Sequence, residues 1–367
     1  MTLEEYHSLR KTPVPGGYLY VKAGARGLSD PAYELLARYL EPHGQSALDL
    51  NPGIGRVTYT LRQHGLLTQA IETSRASLRS LEASFGPSVA VRGLPWETQP
   101  DSADLVALVL PANRGTRYVE LSLLGAALAL RKGGRLWIAG SKDKGFEHYF
   151  RLAQEWLGFG LLVKRQGALR VAVLEKERPA PGLPPVWHSF DWEFAGHSMI
   201  FAYLPGVFSA GHIDPGSALL LRELFESSDP LGHVLDIGGG YGALSRPLVG
   251  RAQSLTLLED DWPSVLSARR NLGEKATVLH SDVDEALTPG QTFTTIVSNP
   301  PFHVGGLVVL ETAAAFVEAA YARLERGGKF YLVANRFLPY EPLLEARFAT
   351  VRTLAVDSHK VLLARKT

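Results

Sequence analysis

Two glycine-rich turns of the same design occur in the two halves of this 367-residue chain. The first is the segment 49–55 (DLNPGIG) and the second is the segment 236–242 (DIGGGYG), and each directly follows a short apolar segment. An acid ends the next apolar segment in each half, at Glu72 and at Glu259. A strand, a glycine turn and a helix in succession are the beginning of an open α/β sheet. The repeat therefore predicts two copies of one α/β unit in tandem.

Apolar and amphipathic segments alternate through both halves, which is the pattern of parallel sheets flanked by helices. In the first half the predicted strands are Ala47–Leu50, Thr68–Glu72, Ala103–Leu110, Arg135–Gly140 and Ala168–Leu174, with a helix at Arg117–Ala129. In the second half they are His233–Ile237, Ser254–Glu259, Ala276–His280, Thr292–Ser298, Lys329–Ala334, Thr350–Ala355 and Lys360–Arg365, with helices at Ser217–Glu226, Ala243–Leu248, Ser264–Leu272 and Val309–Glu325. The predicted fold class is α/β, with two tandem Rossmann-like domains.

A proline-rich stretch separates the two halves. Residues 178–185 read RPAPGLPP, and prolines at this density break helices and strands. A chain of 367 residues is also too long for one ordinary hydrophobic core. We therefore expect a first domain at 1–178, a linker at 179–187 and a second domain at 188–367.

Composition narrows the classes of function. With 46% hydrophobic and 20% charged residues the chain is an ordinary globular protein, and no apolar run approaches the roughly 20 residues that span a bilayer. The first residues lack the basic start and apolar core of a secretory signal, so we expect a cytoplasmic protein without membrane attachment. The absence of Cys excludes disulfides and thiolate metal sites, and we predict no metal.

Charge is divided unequally between the halves. Residues 1–183 contain 23 Lys and Arg against 17 Asp and Glu, whereas residues 184–367 contain 15 against 20. A basic half joined to an acidic half indicates that the first half handles a polyanion. A chance imbalance of a few charges explains the same numbers, so composition leaves both interpretations open.

The glycine turn of the second half has the features of a nucleoside site. Its backbone N–H groups can approach a ligand closely because side chains are missing at Gly238, Gly240 and Gly242. The carboxylate of Asp236 would repel phosphate but suits a cationic amino-acid group. Glu259 is placed to accept from both ribose hydroxyls, and Asp282, after the third strand, from the adenine amino group. The order of these acids predicts S-adenosylmethionine, with S-adenosylhomocysteine as product, rather than a nicotinamide cofactor.

The segment 206–217 (GVFSAGHIDPGS) precedes the first helix of the second half. We expect it to wrap the cofactor through Phe208, Asp214 and Ser217. A plain connecting loop, in which Asp214 or Ser217 caps the helix, explains the same residues.

A second motif, Asn299-Pro300-Pro301-Phe302, follows the fourth strand and so faces the cofactor at the carboxyl end of the sheet. The two prolines remove N–H donors and leave carbonyls free. The Asn299 oxygen and the Pro300 carbonyl can both accept from one planar –NH₂ group, and Phe302 can stack on a base. We expect Asn299 to contact the cofactor as well. An Asx turn at Asn299 is the alternative. His303 is either a contact to base or phosphate or an ordinary loop histidine.

These motifs resemble those of the small-subunit ribosomal RNA guanine-N2 methyltransferases of the RsmC type, with the large-subunit enzymes close behind. The resemblance extends over nearly the whole chain and is carried by the segments 205–209 (PGVFS), 298–303 (SNPPFH) and 334–340 (ANRFLPY). It implies two class I methyltransferase domains, each with an antiparallel last strand. It also implies a C-terminal domain that methylates N2 of a guanosine. The family tends to have Asp at the position of Glu259, and its acid at Asp282 varies.

The first domain lacks the Asn-Pro-Pro-Phe motif. Leu110-Pro111-Ala112-Asn113 stands where the second copy has its Asn-Pro-Pro-Phe, so we expect no catalysis there. Cofactor binding by Asp49, Gly53, Gly55 and Glu72 stays open. The resemblance implies that this domain supports folding and binds RNA.

Several basic residues are candidates for RNA contacts. In the first domain they are Arg75, Arg79, Arg114, Arg117, Lys142, Lys144, Lys164 and Arg165, and in the second we add Arg336 and His303. Such contacts position RNA without reading its sequence. Each of them taken singly is an ordinary solvated charge, and only the aggregate indicates RNA. The predicted partner is ribosomal RNA, in the 30S subunit or its assembly intermediate, bound by a monomer.

Other functions fit parts of the pattern. Asn-Pro-Pro-aromatic also marks DNA adenine and protein glutamine methyltransferases, although the duplicated α/β domain argues against them. A non-catalytic RNA-binding assembly factor with a vestigial fold is a further alternative, which the intact motif at 299–302 opposes.

Overall fold

The computed structural model describes residues 1–301 and 307–367 and divides the chain into two compact units. Residues 9–186 form the N-terminal unit, and residues 1–8 together with 187–367 form the C-terminal unit. The division falls inside the predicted linker, and residues 177–187 contain neither helix nor strand. Residues 1–8, which the sequence assigned to the first domain, group instead with the C-terminal unit, because Tyr6 and His7 bind carboxylates there.

Helices and strands are numbered along the chain, and the first helix, α1 (Leu3–His7), belongs to the C-terminal unit. The strands of the N-terminal unit are β1 (Leu9–Val14), β2 (Gly17–Lys22), β3 (Ser46–Leu50), β4 (Leu67–Glu72), β5 (Ala90–Arg92), β6 (Ala103–Val109), β7 (Leu130–Ser141), β8 (Gly158–Gln166) and β9 (Leu169–Lys176). Its helices are α2 (Pro31–Tyr39), α3 (Arg56–Gln63), α4 (Arg75–Phe85), α5 (Thr116–Ala129) and α6 (Phe146–Leu157), with short 3-10 helices at Ala112–Arg114 and Lys142–Lys144.

The C-terminal unit repeats this plan. Its strands are β10 (His188–Phe194), β11 (His197–Tyr203), β12 (His233–Ile237), β13 (Ser254–Glu259), β14 (Thr277–His280), β15 (Phe293–Ser298), β16 (Leu324–Asn335), β17 (Thr350–Val356) and β18 (His359–Arg365). Its remaining helices are α7 (Pro215–Glu226), α8 (Ser245–Leu248), α9 (Trp262–Leu272), α10 (Leu307–Arg323) and α11 (Glu341–Glu345), with a 3-10 helix at Gly273–Lys275.

Each unit contains one seven-stranded sheet, and the two sheets have the same strand order. The order is β5-β4-β3-β6-β7-β9-β8 in the N-terminal unit and β14-β13-β12-β15-β16-β18-β17 in the C-terminal unit. In each sheet six strands run in one direction, and the last strand along the chain, β9 or β18, runs antiparallel to them. The predicted α/β class, the duplication and the antiparallel last strand are therefore confirmed.

The central strands are apolar on both faces because helices cover both sides of the sheet. Leu50, Leu105 and Leu108 in the N-terminal unit have no exposed surface, as do Leu235 and Ile296 in the C-terminal unit. This burial explains why short apolar runs without polar alternation predicted these strands correctly from sequence. The carboxyl ends of β12, β13, β14 and β15 consequently meet at one edge of their sheet.

The sequence missed a two-stranded hairpin that stands apart from the main sheet in each unit. The hairpin β1–β2 lies on α4, where hydroxyls of Ser84 and Ser80 accept from the backbone N–H groups of Tyr20 and Lys22, at 2.9 and 3.3 Å. The hairpin β10–β11 is held in the same way on α9. Each hairpin does have a local signal, a two-residue turn ending in Gly at 15–16 and at 195–196 between alternating apolar residues, which the sequence prediction overlooked. What the local pattern does not contain is the distant helix whose side chains satisfy an open edge of the hairpin.

Within residues 1–301 and 307–367, no helix combines the length and the apolar character needed to cross a membrane.

Candidate active site

A pocket opens at the carboxyl ends of β12 and β15 in the C-terminal unit. Six residues that the sequence selected line it together: Phe208, Asp214, Ser217, Gly238, Gly240 and Asn299. They come from three places in the chain, which are the loop before α7 together with the first turn of that helix, the glycine turn after β12, and the end of β15. Tyr241 also lines the pocket, and its hydroxyl donates to the backbone oxygen of His212 at 2.9 Å.

The side-chain amide of Asn299 is held in one orientation. Its Nδ2 donates to Oδ2 of Asp214 at 2.9 Å and to the hydroxyl of Ser217 at 3.0 Å. An amide nitrogen has two donors, and both are used here. The amide oxygen of Asn299 is therefore directed away from Asp214 and Ser217, available as an acceptor.

Asp214 has two roles that the sequence offered as alternatives. Its Oδ2 also accepts from the backbone N–H of Ser217 at 3.0 Å, which caps the N-terminus of α7. The capping bond fixes the same carboxylate that orients Asn299. The loop 206–217 is thus both a helix entry and a wall of the pocket, because one buried carboxylate serves both purposes.

The N–H groups of the four glycines in the turn bond within the protein, whereas the sequence predicted that they approach a ligand. Those of Gly238 and Gly239 donate to the backbone oxygen of Leu258 at 2.9 and 3.1 Å, and that of Gly240 donates to Glu259. The N–H of Gly242 closes the turn onto Gly239. The turn therefore provides space rather than donors, which suits a cationic ligand better than a phosphate.

Gly240 shows where that space lies. Its φ is +56°, and a Cβ atom built on it meets no heavy atom within 4 Å. Gly242, by contrast, would place a Cβ at 3.5 Å from Leu272 and does not line the pocket. Of the predicted glycines, Gly242 therefore serves packing of the turn.

Asp236 is fully buried at the end of β12. Its Oδ2 accepts from the hydroxyl of Ser245 at 2.7 Å, whereas its Oδ1 has no hydrogen-bond partner among the residues that the structure describes. Burial raises the pKa of Asp236 to about 7, although the bond from Ser245 opposes the shift. A buried acceptor without a partner is unfavourable, and a ligand donor nearby would relieve it.

Glu259 stands beside the turn at the end of β13. Its Oε2 accepts from Gly240 N–H and its Oε1 from Asp261 N–H, both at 2.8 Å. Burial raises the pKa of this carboxyl to about 7 despite these bonds. Each oxygen keeps further acceptor capacity, so two neighbouring hydroxyls can still bind.

Asp282, which the sequence predicted to accept from the adenine amino group, is already contacted by two side chains of α1, Tyr6 and His7. It is almost fully buried after β14, and its Oδ1 accepts from the hydroxyl of Tyr6 at 3.2 Å. The phenol comes from α1, far away in sequence, so the motif around Asp282 carries no sign of it.

The N-terminal unit reproduces the hydrogen bonds of this site. Asp49 Oδ2 accepts from the hydroxyl of Thr58 at 2.6 Å, as Asp236 accepts from Ser245. Glu72 Oε2 accepts from Gly53 N–H at 3.0 Å, as Glu259 accepts from Gly240. The sequence prediction missed both hydroxyls, although in each copy the hydroxyl lies nine residues after the acid, a spacing that the sequence itself displays.

The chain itself fills the corresponding space in the N-terminal unit. A Cβ built on Gly53 would lie 2.5 Å from the backbone oxygen of Arg26. The guanidinium of Arg26 is 3.6 Å from Glu72 Oε1 and donates to Thr73 Oγ1 at 2.8 Å. The segment around Arg26 thus occupies the place that stays open at Gly240.

Replacing Arg26 with methionine is expected to lower the free energy of unfolding by about 1–2 kcal/mol at pH 7.5. Burial raises the pKa of Glu72 and Arg26 lowers it, so the variant leaves a buried carboxylate with less compensation. The pKa of Glu72 rises further in the variant. The loss in the free energy of unfolding therefore shrinks as the pH falls and Glu72 takes up a proton. Denaturant unfolding at pH 7.5 and 5.5 measures this. Arg62→Met, an exposed arginine of the same unit, is the control, and an equal loss in both variants would contradict the role of Arg26.

The basic residues predicted to contact RNA have differing environments. Arg75 pairs with Glu82 at 3.0 Å, Arg117 pairs with Glu120 at 3.3 Å, and Arg114 donates to Thr73 and stacks on Tyr118 at 4.0 Å. Arg79 is half-buried on α4, and Lys164 lies 5.2 Å from the ring of Tyr39. The exposed members are Lys142, Lys144, Arg165 and Arg336. Phe302 and His303 lie outside the described residues.

Three comparisons with known proteins show what the chain is similar to. A family model described as "Methyltransferase small domain" matches residues 198–363. "Ribosomal RNA small subunit methyltransferase C" of Stutzerimonas stutzeri (strain A1501) is 36% identical over 69% of this chain and 76% of its own length. The protein of the same name from Pseudomonas aeruginosa (strain LESB58) is 35% identical over 71% and 78%.

One solved structure matches the chain throughout. It is a T. thermophilus 16S rRNA N2 methyltransferase (RsmC) in complex with AdoMet and guanosine, and it is 51% identical with a TM-score of 0.96. The match covers 100% of both chains. The resemblance predicted from the sequence motifs is confirmed, and the chain belongs to the ribosomal RNA small subunit methyltransferase C family.

Proposed function

We propose that this chain transfers a methyl group from S-adenosylmethionine to the exocyclic amine N2 of a guanosine in 16S ribosomal RNA. The observation that carries the proposal is the orientation of Asn299. Both of its amide hydrogens are engaged by Asp214 and Ser217, so its oxygen is committed to accept. An exocyclic –NH₂ group of a base is the matching donor.

The residues around the glycine turn fit the cofactor. Asp236 has a buried oxygen without a partner among the described residues, which suits a ligand that carries positive charge and N–H donors. Glu259 offers two oxygens for the two ribose hydroxyls, and the open space at Gly240 leaves room for the ligand. The amino-acid end would therefore lie by Asp236 and the ribose by Glu259, with Asp282 near the adenine.

The chain contributes positioning rather than covalent catalysis. Bound S-adenosylmethionine supplies the electrophilic methyl group. Asn299 Oδ1 and the carbonyl of Pro300 accept from the two N–H groups of the base, which turns the nitrogen lone pair out of the plane of their bonds. Holding two reactants in this way accounts for large rate factors without a general base. In residues 1–301 and 307–367 no group of three or more His, Cys, Asp or Glu could hold a metal ion.

The N-terminal unit is proposed to bind the RNA. It contains 23 Lys and Arg against 15 Asp and Glu, whereas the C-terminal unit contains 15 against 22. The difference in net charge between the two units is larger than that between residues 1–183 and 184–367, because Glu4 and Glu5 belong to the C-terminal unit. We propose that Lys142, Lys144 and Arg336 contact phosphates, that the substrate is the 30S subunit or its precursor in the cytoplasm, and that the chain acts as a monomer.

Methyl transfer from labelled S-adenosylmethionine to 16S RNA, free and in 30S subunits, tests the proposal. N2-methylguanosine among the nucleosides of the product is expected. Label in adenine or in protein would favour another methyltransferase that uses Asn-Pro-Pro-aromatic. Binding of RNA without any transfer would indicate an assembly factor. Sedimentation of the chain without RNA tests whether it is a monomer.

Cofactor affinity is expected to fall by at least about tenfold per pH unit as the pH drops from 7 to 5, which is the slope for one released proton. Burial raises the pKa of Glu259 to about 7, and protonation turns one of its two oxygens into an O–H donor, so only the ionised form accepts from both ribose hydroxyls. Binding must therefore release the proton that Glu259 carries below pH 7, and Asp236 adds to this. Calorimetry at pH 6 in buffers of different ionisation enthalpy measures the released protons. Glu259→Gln is expected to bind more weakly and to release about one proton fewer, and an affinity that is constant from pH 5.5 to 8 would contradict the assignment.

A further inference from the structure

The first eight residues are built into the catalytic unit through two side chains of α1. Thr2 and Glu5 form a capping box, in which Thr2 Oγ1 accepts from Glu5 N–H and Glu5 Oε2 accepts from Thr2 N–H. This cap stabilises a helix of only five residues. The helix packs against α10, and Tyr6 on its inner side is 2% exposed.

Tyr6 and His7 fasten the loop that follows β14. The Tyr6 hydroxyl donates to Asp282 Oδ1 at 3.2 Å, and His7 Nε2 lies 3.0 Å from Asp284 Oδ1. Arg323, at the end of α10, donates to the other oxygen of Asp284 at 2.8 Å. The loop is thus held from two sides by elements that are distant in sequence.

The backbone of this loop needs such support. Val283 has a φ of +54°, a left-handed conformation that costs a β-branched residue about 1–3 kcal/mol. The hydroxyl of Ser281 donates to the Val283 carbonyl at 3.0 Å, and Ser281 N–H donates to the carbonyl of Glu259 at 2.9 Å. The loop therefore continues directly from the proposed ribose site, and its conformation depends on contacts outside itself.

Tyr6 is a permanent donor to Asp282. Burial, followed by the negative charges of Asp282 and Asp260, raises the pKa of the Tyr6 phenol well above its usual value. The phenol therefore keeps its proton at neutral pH and acts as a donor to one oxygen of Asp282. His7 Nδ1 lies 3.6 Å from the other oxygen, Oδ2, so Asp282 is approached from α1 on both oxygens. A carboxylate has about four acceptor sites, and these two contacts leave Asp282 able to accept from a further donor.

We propose that Tyr6 is a positioning residue for the cofactor: its hydroxyl orients Asp282 to accept from the 6-amino group of adenine, which makes α1 part of the cofactor site. This proposal rests on the cofactor assignment of the proposed function. A carboxylate already fixed by Tyr6 loses less freedom when adenine binds, so affinity and the preference for adenine both depend on a residue near the start of the chain.

Calorimetric titration of the full chain with S-adenosylhomocysteine and with S-inosylhomocysteine tests the proposal. The second ligand has a 6-oxo group and offers no amino donor to Asp282. Tyr6→Phe is expected to raise the Kd for S-adenosylhomocysteine about 5- to 10-fold, and that for S-inosylhomocysteine less than about twofold. In an Asp282→Ala background the same substitution is expected to change neither Kd further.

Tyr340→Phe is the matched control. Tyr340 is buried in the same unit, and its hydroxyl has no hydrogen-bond partner among the described residues, so its loss is expected to change neither Kd. Equal losses for the two ligands in Tyr6→Phe would mean a general structural role and would overturn the proposal. Tighter binding of S-adenosylhomocysteine would also overturn it, because Tyr6 would then compete with adenine for Asp282.

Failure of the Tyr6 proposal and failure of the proposed function give different results. The titrations contain no RNA, so a negative result for Tyr6 leaves the methylation of 16S RNA untouched. Failure of the unaltered chain to bind either ligand would overturn the cofactor assignment and this proposal with it. Thermal unfolding of the ligand-free Tyr6→Phe chain, expected within about 3 °C of the unaltered chain, verifies that the variant is folded.

Discussion

Replacing Asn299 with alanine is expected to lower kcat for methyl transfer to 16S RNA by about a thousandfold, while the Kd for S-adenosylhomocysteine changes less than about threefold. The substitution removes the acceptor that fixes the attacking amine, and rate factors of this size follow from lost orientation and lost polar stabilisation. Single-turnover transfer with enzyme in excess measures the rate, and calorimetry measures the Kd.

The matched control is Asn113→Ala. Asn113 ends the segment of the N-terminal unit that corresponds to the motif, and it is exposed in a short 3-10 helix. We expect transfer by this variant within about twofold of the unaltered chain. A comparable fall in both variants would contradict the assignment of catalysis to the C-terminal unit.

Asn299→Asp tests whether transfer depends on the orientation of this side chain or only on the presence of an acceptor oxygen. The variant keeps an acceptor oxygen but loses the two donors, and it places a carboxylate 2.9 Å from Asp214. Like charges at this distance repel, so the side chain is expected to turn away and transfer to fall as far as in the alanine variant. Substantial transfer by Asn299→Asp at pH 7.5 would show that Asp214 and Ser217 do not determine the geometry.

Gly240→Ala is expected to raise the Kd for S-adenosylmethionine about 100-fold. The new methyl group meets no protein atom within 4 Å and stands instead in the space left for the ligand. The φ of +56° adds backbone strain of about 1–2 kcal/mol, which lowers stability but does not by itself prevent binding. Calorimetry measures the Kd, and thermal unfolding measures the strain.

Gly273→Ala is the control for that strain. Gly273 also has a φ of +56°, and a Cβ atom built on it meets nothing within 4 Å, but it follows α9 and does not line the pocket. We expect an unchanged Kd and a loss of stability at least as large, because the ψ of Gly273 is −141°, outside the left-handed region that other residues tolerate. If both variants bound the cofactor equally well, the open space at Gly240 would not be the cofactor site.

The sequence alone determined the fold class, the duplication and most strands of the two main sheets. These features follow from local patterns, because strands buried on both faces read as short apolar runs and glycine turns follow them directly. It also selected six of the residues that line the pocket, because residues that follow parallel strands meet at the carboxyl edge of the sheet, but the strand-end acids Asp236, Glu259 and Asp282 are not among the lining residues.

Other features were decided only by the tertiary structure. Tyr6 meets Asp282 across 276 residues of chain, Asn299 receives its orientation from Asp214 across 85, and the hairpins are held by side chains of α4 and α9. Each is a hydrogen bond between groups that have no shared local pattern. The same holds for Arg26, whose backbone fills in one unit the space that the other leaves open. Local periodicity encodes which face of an element is buried, whereas the partner of a polar group is known only once the elements are packed.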